Sequence, residues 1–227
     1  MEPVLEATAV THFFGLTPVL HALDFSIGSG QAAAIIGRNG SGKSTLIRLF
    51  AGLLVPTNGS IRVFGDVSPR FSAPTRRRLG VMTHQSLVYP NLSARENLEF
   101  YGRLYSVRDP RQTAIRLLDR LALSDQAAKR ARELSRGMLQ RLSLARAMLA
   151  DPDLILCDEP LASLDADSVA LVASIFSEVL NRGCTIVITA HDRMSIAGVE
   201  FEHWELAGGS LAAIESNSHH RLRKVQA

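Results

Sequence analysis

The chain has 227 residues, of which 46% are hydrophobic and 21% are charged, and its formal net charge is +3. This length and composition are ordinary for one globular domain with a buried core. No apolar run approaches the length that crosses a bilayer, and the first residues carry no basic signal-peptide region. A charge this slight does not indicate nucleic-acid binding. We therefore expect a cytoplasmic protein, compatible with peripheral attachment to a membrane.

The N-terminal part of the chain predicts short strands around one helix. Residues 4–11 and 23–27 alternate apolar and polar side chains, which favours β-strands. Residues 31–36 form a compact apolar run that is typical of a buried strand. After a glycine-rich loop, residues 44–54 are apolar at helical spacing, so the chain begins as an α/β arrangement.

The middle of the chain has a different character. From about residue 93 to residue 150 it is rich in leucine, alanine and arginine at helical spacing. Ser93 and Glu96 form a capping box that opens one helix, and Pro110 fits the first turn of the next. We therefore predict a helical subdomain at about residues 87–132, inserted into an α/β core.

The β/α pattern resumes after this insertion. Residues 154–157 and 185–189 predict buried strands, and residues 166–181 predict a helix between them. Residues 201–214 favour a closing hairpin, because two strand-like runs flank a pair of glycines. The last residues, about 215–227, are polar and basic, so we expect a frayed tail. No internal repeat is present, which indicates a single domain over the 227 residues.

The two cysteines, Cys157 and Cys184, both lie in apolar strand-like runs. A disulfide between neighbouring strands is conceivable from this placement. We favour buried free thiols, because a reducing cytoplasm keeps cysteines unpaired.

A glycine-rich segment at residues 37–44 matches the phosphate-loop pattern between a predicted strand and a predicted helix. Its glycines let backbone N–H groups curl around the β- and γ-phosphates, and the helix N-terminus adds its dipole. Lys43 supplies a positive charge between phosphates, and the Ser44 hydroxyl is a hard oxygen ligand for Mg²⁺. The residues predicted to bind the nucleotide here are Gly37, Asn39, Gly40, Ser41, Gly42, Lys43, Ser44 and Thr45.

Two carboxylates follow the apolar strand predicted at residues 154–157. Acids at the carboxyl end of a buried strand point into the ligand crevice of an open α/β sheet. Asp158 is predicted to orient Mg²⁺, and Glu159 is predicted to polarise the water that attacks the γ-phosphate. An apolar strand followed by Asp-Glu is common in proteins, so this prediction depends on the phosphate loop.

The sequence Leu-Ser-Arg-Gly-Met at residues 134–138 resembles the signature segment of ABC ATPases. In the same way Gln85 resembles the Q-loop of that family, Asp165 belongs to a segment similar to its D-loop, and His191 resembles its switch histidine. The order and spacing match from about residue 4 to residue 211. The chain thus resembles an ABC transporter ATP-binding subunit. This implies an α/β fold: a P-loop NTPase core with an N-terminal antiparallel β subdomain and an inserted α-helical subdomain.

The resemblance also implies a head-to-tail pair of ATPase subunits, either a homodimer or two different chains, that encloses two ATP molecules. Each ATP would lie on the phosphate loop of one subunit and be closed by Ser135 and Gly137 of the other. These residues precede a helix predicted at residues 138–149, whose N-terminal N–H groups favour negative charge. His191 would contact the γ-phosphate, and Asp165 would connect the two sites.

The implied catalytic residues are Glu159, His191, Lys43 and Gln85. The implied Mg²⁺ ligands are Ser44, Gln85 and Asp158. Gln85 would sense Mg²⁺ or the attacking water and relay closure of the site to the helical subdomain.

The signature segment departs from the usual Leu-Ser-Gly-Gly-Gln in two places. Arg136 replaces the first glycine, and it either contacts the opposite nucleotide or points to solvent. Met138 replaces the glutamine and cannot donate amide hydrogen bonds, which puts a ribose contact in doubt.

Phe14 stands where the family often has an aromatic residue that stacks on adenine. Phe13 is adjacent, and strand alternation predicts that one of the two rings packs in the core. We favour Phe14 as the stacking residue, with a structural role for both rings as the alternative. Stacking alone does not distinguish adenine from guanine, so such a site would discriminate poorly between ATP and GTP.

The favoured function is the ATPase subunit of a membrane transporter, on the cytoplasmic face of the inner or plasma membrane, with a transmembrane permease on a separate chain. Residues 134–149 look most like small exporter subunits, including the haem exporter ATPase of cytochrome c maturation. A soluble ABC ATPase acting on DNA or ribosomes is the second hypothesis, and a kinase or GTPase is the third. The basic run at residues 76–78 has no interleaved aromatic residues, so we expect no nucleic-acid partner.

Overall fold

A computed structural model of the chain describes residues 2–193 and 196–214. The tail predicted at about residues 215–227 lies outside the described residues. Within them, the chain forms ten strands and six α-helices. The strands are β1 Leu5–Phe14, β2 Thr17–Ile27, β3 Ala32–Ile36, β4 Asn58–Val63, β5 Asp66–Val67, β6 Leu79–Met82, β7 Leu154–Cys157, β8 Thr185–Ala190, β9 Glu202–Ala207 and β10 Ser210–Ala213. The helices are α1 Lys43–Phe50, α2 Ala73–Arg77, α3 Ala94–Leu104, α4 Pro110–Arg120, α5 Arg136–Ala147 and α6 Ala166–Asn181.

A six-stranded sheet lies at the centre of the fold, in the order β10-β9-β3-β8-β7-β6. Strands β9, β3, β8, β7 and β6 run parallel, and β10 pairs with β9 as the predicted antiparallel hairpin. Parallel strands are covered on both faces, and every residue of β7 and β8 is indeed buried. The carboxyl ends of such strands meet at one edge, so the segments after β3, β7 and β8 come together there.

The second sheet is antiparallel, in the order β2-β1-β4-β5, and it covers one side of the central sheet together with α1. Leu154 and Leu156 of β7 belong to this core, whereas Ile155 and Cys157 belong to the core formed with α5 and α6. Successive side chains of a strand point to opposite faces, so β7 separates two apolar layers. The carboxylates after β7 are therefore held at the edge of a strand that is fully packed on both sides.

The predicted helical segment at residues 87–132 contains α3 and α4, which pack against each other. Ser93 and Glu96 form the predicted capping box: the Ser93 N–H donates to Glu96 Oε2 at 2.8 Å, and the Glu96 N–H donates to Ser93 Oγ at 3.2 Å. Pro110 begins α4, as expected from its fixed φ. The boundaries of a separate helical subdomain stay a prediction.

Several predicted element limits were wrong. Helix α5 begins at Arg136, two residues before the predicted start, because Ser135 caps it by accepting a hydrogen bond from the Met138 N–H. Helix α1 ends at Phe50 and not at residue 54, since Gly52 takes a positive φ of 68°. The sequence reading also missed β5, α2 and β6, which are too short to develop a periodic pattern.

The prediction of free thiols is confirmed, since Cys157 and Cys184 are buried and unpaired. Burial raises the pKa of the Cys184 thiol to about 12, and it raises the pKa of Cys157 as well. No helix among the described residues combines the length and the apolar character needed to cross a membrane.

A buried asparagine anchors the start of α3. The Asn97 side chain is fully buried. Its Nδ2 donates to the carbonyl oxygens of Tyr89, Leu92 and Ser93 at 3.0, 3.1 and 3.0 Å, and its Oδ1 accepts from the Tyr89 N–H at 2.7 Å. One side chain therefore satisfies four backbone groups of the loop that precedes the helix.

Replacing this residue tests its anchoring role. Asn97→Ala should lower the free energy of unfolding by about 3 kcal/mol, because buried backbone groups lose their partners. Equilibrium unfolding in urea measures the change. Arg103→Ala, at the exposed end of the same helix, is the control and should change stability by less than about 0.5 kcal/mol. Similar losses in both variants would contradict the anchoring role of Asn97.

Candidate nucleotide-binding site

The phosphate loop connects β3 to α1 and depends on glycine at two positions. Gly42, the residue before α1, has a φ of 105°. A Cβ at Gly42 would lie 2.9 Å from Leu20 Cδ2, and a Cβ at Gly37 would lie 2.7 Å from Ser41 Oγ. The loop therefore needs both a left-handed backbone and close approach of neighbouring atoms, which only glycine allows.

Lys43 lies at the first position of α1 and is 95% buried. Its Nζ donates to the carbonyl oxygens of Gly37 at 2.7 Å and Arg38 at 3.3 Å. The ammonium group is thus held against the start of the loop by two carbonyl oxygens. Ser41 Oγ is buried and has no hydrogen-bond partner within the described residues. An unpaired buried hydroxyl beside a buried cation fits an anionic ligand such as a phosphate.

The residues predicted after the central strands come together at the sheet edge. Asp158 is 4% exposed and follows β7, and Glu159 is half-buried beside it. Glu159 Oε1 lies 3.6 Å from Lys43 Nζ and 3.2 Å from Nε2 of His191, which follows β8. The structure therefore brings Lys43, Glu159 and His191 into one cluster.

Thr189 near the end of β8 holds the two carboxylate residues and was missed by the sequence reading. The Thr189 hydroxyl donates to Asp158 Oδ1 at 2.7 Å, and Thr189 Oγ1 accepts from the Glu159 N–H at 3.0 Å. The available signal was a polar residue at the end of the run at residues 185–189, which predicts a buried strand. Recognising it required knowing that β7 and β8 are neighbours.

Gln85 is exposed, in the segment that follows β6. Its backbone carbonyl accepts from the Thr83 hydroxyl at 2.7 Å, which fixes the start of this segment. A cavity of about 430 Å³ lies alongside. Thr83, His84, Ser86, Arg136, Gln140, Asp158 and Glu159 are among the residues that line it. Gln85 itself does not line this cavity, so its role in metal sensing stays a prediction.

The signature residues lie at the N-terminus of α5. Ser135 is exposed and caps the helix, and Gly137 is half-buried, where a Cβ would lie 3.5 Å from Ser163 O. Arg136 is exposed and lines the cavity beside Glu159. Met138 packs against the apolar core, which gives this departure from the usual glutamine a structural role.

Asp165 caps helix α6 and is exposed. Its Oδ1 accepts from the Ser168 N–H at 2.8 Å. Hydrogen bonds from the Ser168 hydroxyl and N–H lower the pKa of this carboxyl, so it carries a negative charge at neutral pH. Asp165 therefore presents a negative charge at the surface.

The prediction that Phe13 or Phe14 packs in the core was wrong, because the two side chains are 36% and 50% exposed. The β1 residue buried beside them is His12, whose ring meets the Phe14 ring edge-on at 4.8 Å. His12 pairs with Leu20 of β2, the residue that approaches Gly42 of the phosphate loop. Phe14 thus has an exposed and supported ring near the loop, which fits base stacking.

The family that these features define is confirmed by comparison with known proteins. The family model described as "ABC transporter" matches residues 20–162. A solved ATP-binding cassette, MJ0796, described as a dimer in a post-hydrolysis state bound to ADP and phosphate, superposes with a TM-score of 0.84 at 25% identity, over 91% of this chain and 96% of that one. The fold is thus that of a P-loop ATP-binding cassette with the expected sheets and helices.

Curated relatives agree with this class. The chain is 35% identical over 192 residues to Nod factor export ATP-binding protein I of Paraburkholderia xenovorans (strain LB400), covering 84% of this chain and 63% of that protein. It is 35% identical over 204 residues to molybdenum import ATP-binding protein ModC of Mycobacterium tuberculosis (strain ATCC 25618 / H37Rv), covering 85% and 55%. The chain thus spans less than two thirds of the length of these relatives. It belongs to the ABC transporter family, as an ATP-binding subunit.

Removing the exposed ring tests base stacking. Phe14→Ala should weaken ATP binding by roughly 10-fold, since stacking of a base on an aromatic ring contributes about 1–3 kcal/mol. Phe13→Ala is the matched control and should bind ATP like the unchanged chain. Titration with a fluorescent ATP analogue measures both, and a larger loss in Phe13→Ala would assign the stacking to Phe13.

Proposed function

We propose that this chain hydrolyses ATP as a subunit of an ABC membrane transporter and drives substrate movement through a permease on a separate chain. The observation that carries the proposal is the cluster of Lys43, Glu159 and His191 at the carboxyl edge of the central sheet. Lys43 supplies a positive charge to balance the phosphates, Glu159 supplies a base, and His191 supplies a polar contact, all within a few ångströms. Such a cluster suits the transfer of a phosphoryl group to water.

The ATP site consists of the phosphate loop at one end and Phe14 at the other. The unpaired Ser41 hydroxyl and the buried Lys43 ammonium fit phosphate oxygens, and the loop glycines let backbone N–H groups face them. Gly37, Asn39, Gly40, Gly42, Ser44 and Thr45 complete the proposed set.

Mg²⁺ is proposed as the cofactor of this site. The described residues contain no group of three or more His, Cys, Asp or Glu side chains that could hold a metal by themselves. The Ser44 hydroxyl, the Asp158 carboxylate and the Gln85 amide are hard oxygen donors, and a metal held jointly with phosphate oxygens needs only one or two carboxylates. When bound, Mg²⁺ would neutralise charge on the β- and γ-phosphates.

Glu159 is the proposed general base. Its carboxylate accepts a proton from the attacking water, or orients that water, while Lys43 compensates the negative charge of the phosphates. His191 lies 3.2 Å from the same carboxylate oxygen, so it can orient Glu159 and reach the γ-phosphate. Thr189 holds Asp158 and the Glu159 backbone, which limits the freedom of both carboxylates.

Pairing with a second ATPase subunit is proposed to complete the site. Ser135 and Asp165 are exposed at the N-termini of α5 and α6, where a second subunit can reach them. The solved relative MJ0796 is described as a dimer, and its fold superposes on this chain. A homodimer is the simplest arrangement, and a pair with another ATPase chain is the alternative.

The permease contact is proposed on the helical segment, close to the residues that follow Gln85. Leu87 and Tyr89 are exposed there, beside the exposed side chains of Phe100 and Leu104 of α3. Tyr89 meets Phe100 edge-on at 5.0 Å, so these two exposed rings form an apolar surface between the segment after Gln85 and α3. A contact of this kind would hold the chain on the cytoplasmic face of the inner or plasma membrane.

Export is the direction we propose, because residues 134–149 resemble small exporter subunits and one relative is a Nod factor export protein. Export of haem is the narrowest form of this proposal.

A soluble ABC ATPase is the second candidate function. Within the basic run at residues 76–78, Arg78 pairs with Asp153 and covers the Phe64 ring at 3.7 Å, so this arginine has partners in the chain itself.

The role of Lys43 has a direct test. Lys43→Ala should lower ATP turnover at least 100-fold, because it removes the buried counter-charge of the phosphates. Release of inorganic phosphate is the measurement. Lys129→Ala, at an exposed lysine, is the control and should keep normal turnover. Near-normal hydrolysis by Lys43→Ala would refute the assignment of the site.

Glu159→Gln separates binding from hydrolysis. The amide cannot act as a base but keeps the size of the side chain, so the variant should bind ATP and accumulate an ATP-dependent dimer. Size-exclusion chromatography with saturating ATP and Mg²⁺ measures the dimer, and Glu200→Gln is the exposed control. A variant that stays monomeric, both alone and together with the permease, would contradict the paired-subunit proposal.

A further inference from the structure

Glu159 has an unusual backbone conformation for a residue with a side chain. Its φ is 52°, in the left-handed region that favours glycine. A residue keeps such a conformation only when its surroundings hold it there, and residues of this kind concentrate at functional sites. Neighbouring groups must therefore hold the Glu159 backbone in its left-handed conformation.

Two side chains bind the backbone of Glu159 from different sides. The Glu159 N–H donates to Thr189 Oγ1 at 3.0 Å, and the Glu159 carbonyl accepts from Gln140 Nε2 at 2.7 Å. Thr189 belongs to the central sheet, which is buried and rigid. Gln140 belongs to helix α5, so this helix has a direct hydrogen bond to the residue that carries the proposed base.

Helix α5 also presents the signature segment. Ser135 caps its exposed N-terminus, and Gln140 lies five residues further along the same helix. At about 1.5 Å per residue the two positions are roughly 7.5 Å apart along the axis. The later part of α5 packs in the apolar core. A helix moves as a rigid unit, so a displacement of the signature end also displaces Gln140.

We propose that Gln140 is a positioning residue that fixes the conformation of Glu159 and connects it to helix α5. The Gln140 amide holds the left-handed peptide, and this conformation keeps the Glu159 carboxylate between Lys43 and His191. A contact that the signature segment makes with a second subunit is thereby transmitted to the base of the chain's own site. The inference rests on the proposed ATPase function and adds a residue to it.

The competing explanation is that Gln140 only provides the Glu159 carbonyl with a hydrogen-bond partner and has no effect on catalysis. It predicts that losing the amide lowers stability and leaves the chemistry of the folded protein unchanged. A positioning role predicts a loss of turnover with ATP affinity retained. The two explanations therefore differ in how kcat and ATP affinity respond.

The test compares Gln140→Met with Gln140→Lys in the full chain. Methionine matches the length of glutamine but has no N–H donor, and lysine restores a donor of similar reach. Gln140→Met should lower kcat by roughly 10- to 100-fold, since small misplacements of a catalytic group have effects of this size. Its ATP affinity should stay within about twofold. Gln140→Lys should recover a large part of kcat. Gln112→Met, at an exposed position of α4, is the matched control.

The possible results distinguish a failure of the proposed ATPase function from a failure of the positioning role of Gln140. If the unchanged chain, with its permease, does not hydrolyse ATP, the proposed function and this inference both fail. If the unchanged chain hydrolyses ATP and Gln140→Met does so at the same kcat, only the positioning role is overturned. A parallel loss of ATP affinity and kcat that Gln140→Lys does not restore overturns it as well. Should Gln140→Met fail to fold, Gln140→Leu, which loses the donor without adding a charge, is measured by the same criteria.

Discussion

The Glu159 carboxylate, which lies 3.2 Å from His191 and 3.6 Å from Lys43, is the interaction on which the rest of the site depends. The three residues follow three different strands of the central sheet, and those strands are neighbours in parallel register. Only that register brings their carboxyl ends to a common edge. The two apolar cores on either side of β7 keep the sheet in place, so packing far from the nucleotide sets the geometry of the chemistry.

Backbone conformation matters as much as side-chain identity at this site. Gly42 has a left-handed conformation, and a Cβ at this position would also approach β2 closely, whereas Glu159 has a left-handed conformation although it carries a side chain. Thr189 and Gln140 hold Glu159 from the sheet and from α5. The conformation of Glu159 is therefore stabilised by residues from two different elements, and one of these elements is the helix that carries the signature segment.

The sequence predicted most of the fold, and the residues that it proposed at the ends of β3, β7 and β8 lie together in the structure. Helix α6 and strand β7 were predicted with their observed limits, and the capping box of Ser93 and Glu96 is present. These elements have strong local signals: a long periodic pattern, an unbroken apolar run and a capping pair. The start of α5 was misplaced because capping by Ser135 outweighs the polar character of its first turn. The exposure of both Phe13 and Phe14 accompanies a shift in the pairing of β1 with β2 between His12 and Phe13, which simple alternation does not describe.

By itself the sequence determined the chemistry that is local to a motif. Three short segments carry such chemistry. The phosphate loop has residues suited to binding phosphate, the acids after β7 have oxygen atoms suited to a metal, and the signature segment lies at a helix N-terminus that favours negative charge. Only the tertiary structure decided which distant groups meet. The contacts of Thr189 with Asp158 and of Gln140 with Glu159 join residues 31 and 19 positions apart. Such contacts depend on strand order and on helix packing, which are set by the burial of the whole apolar core and not by any single segment.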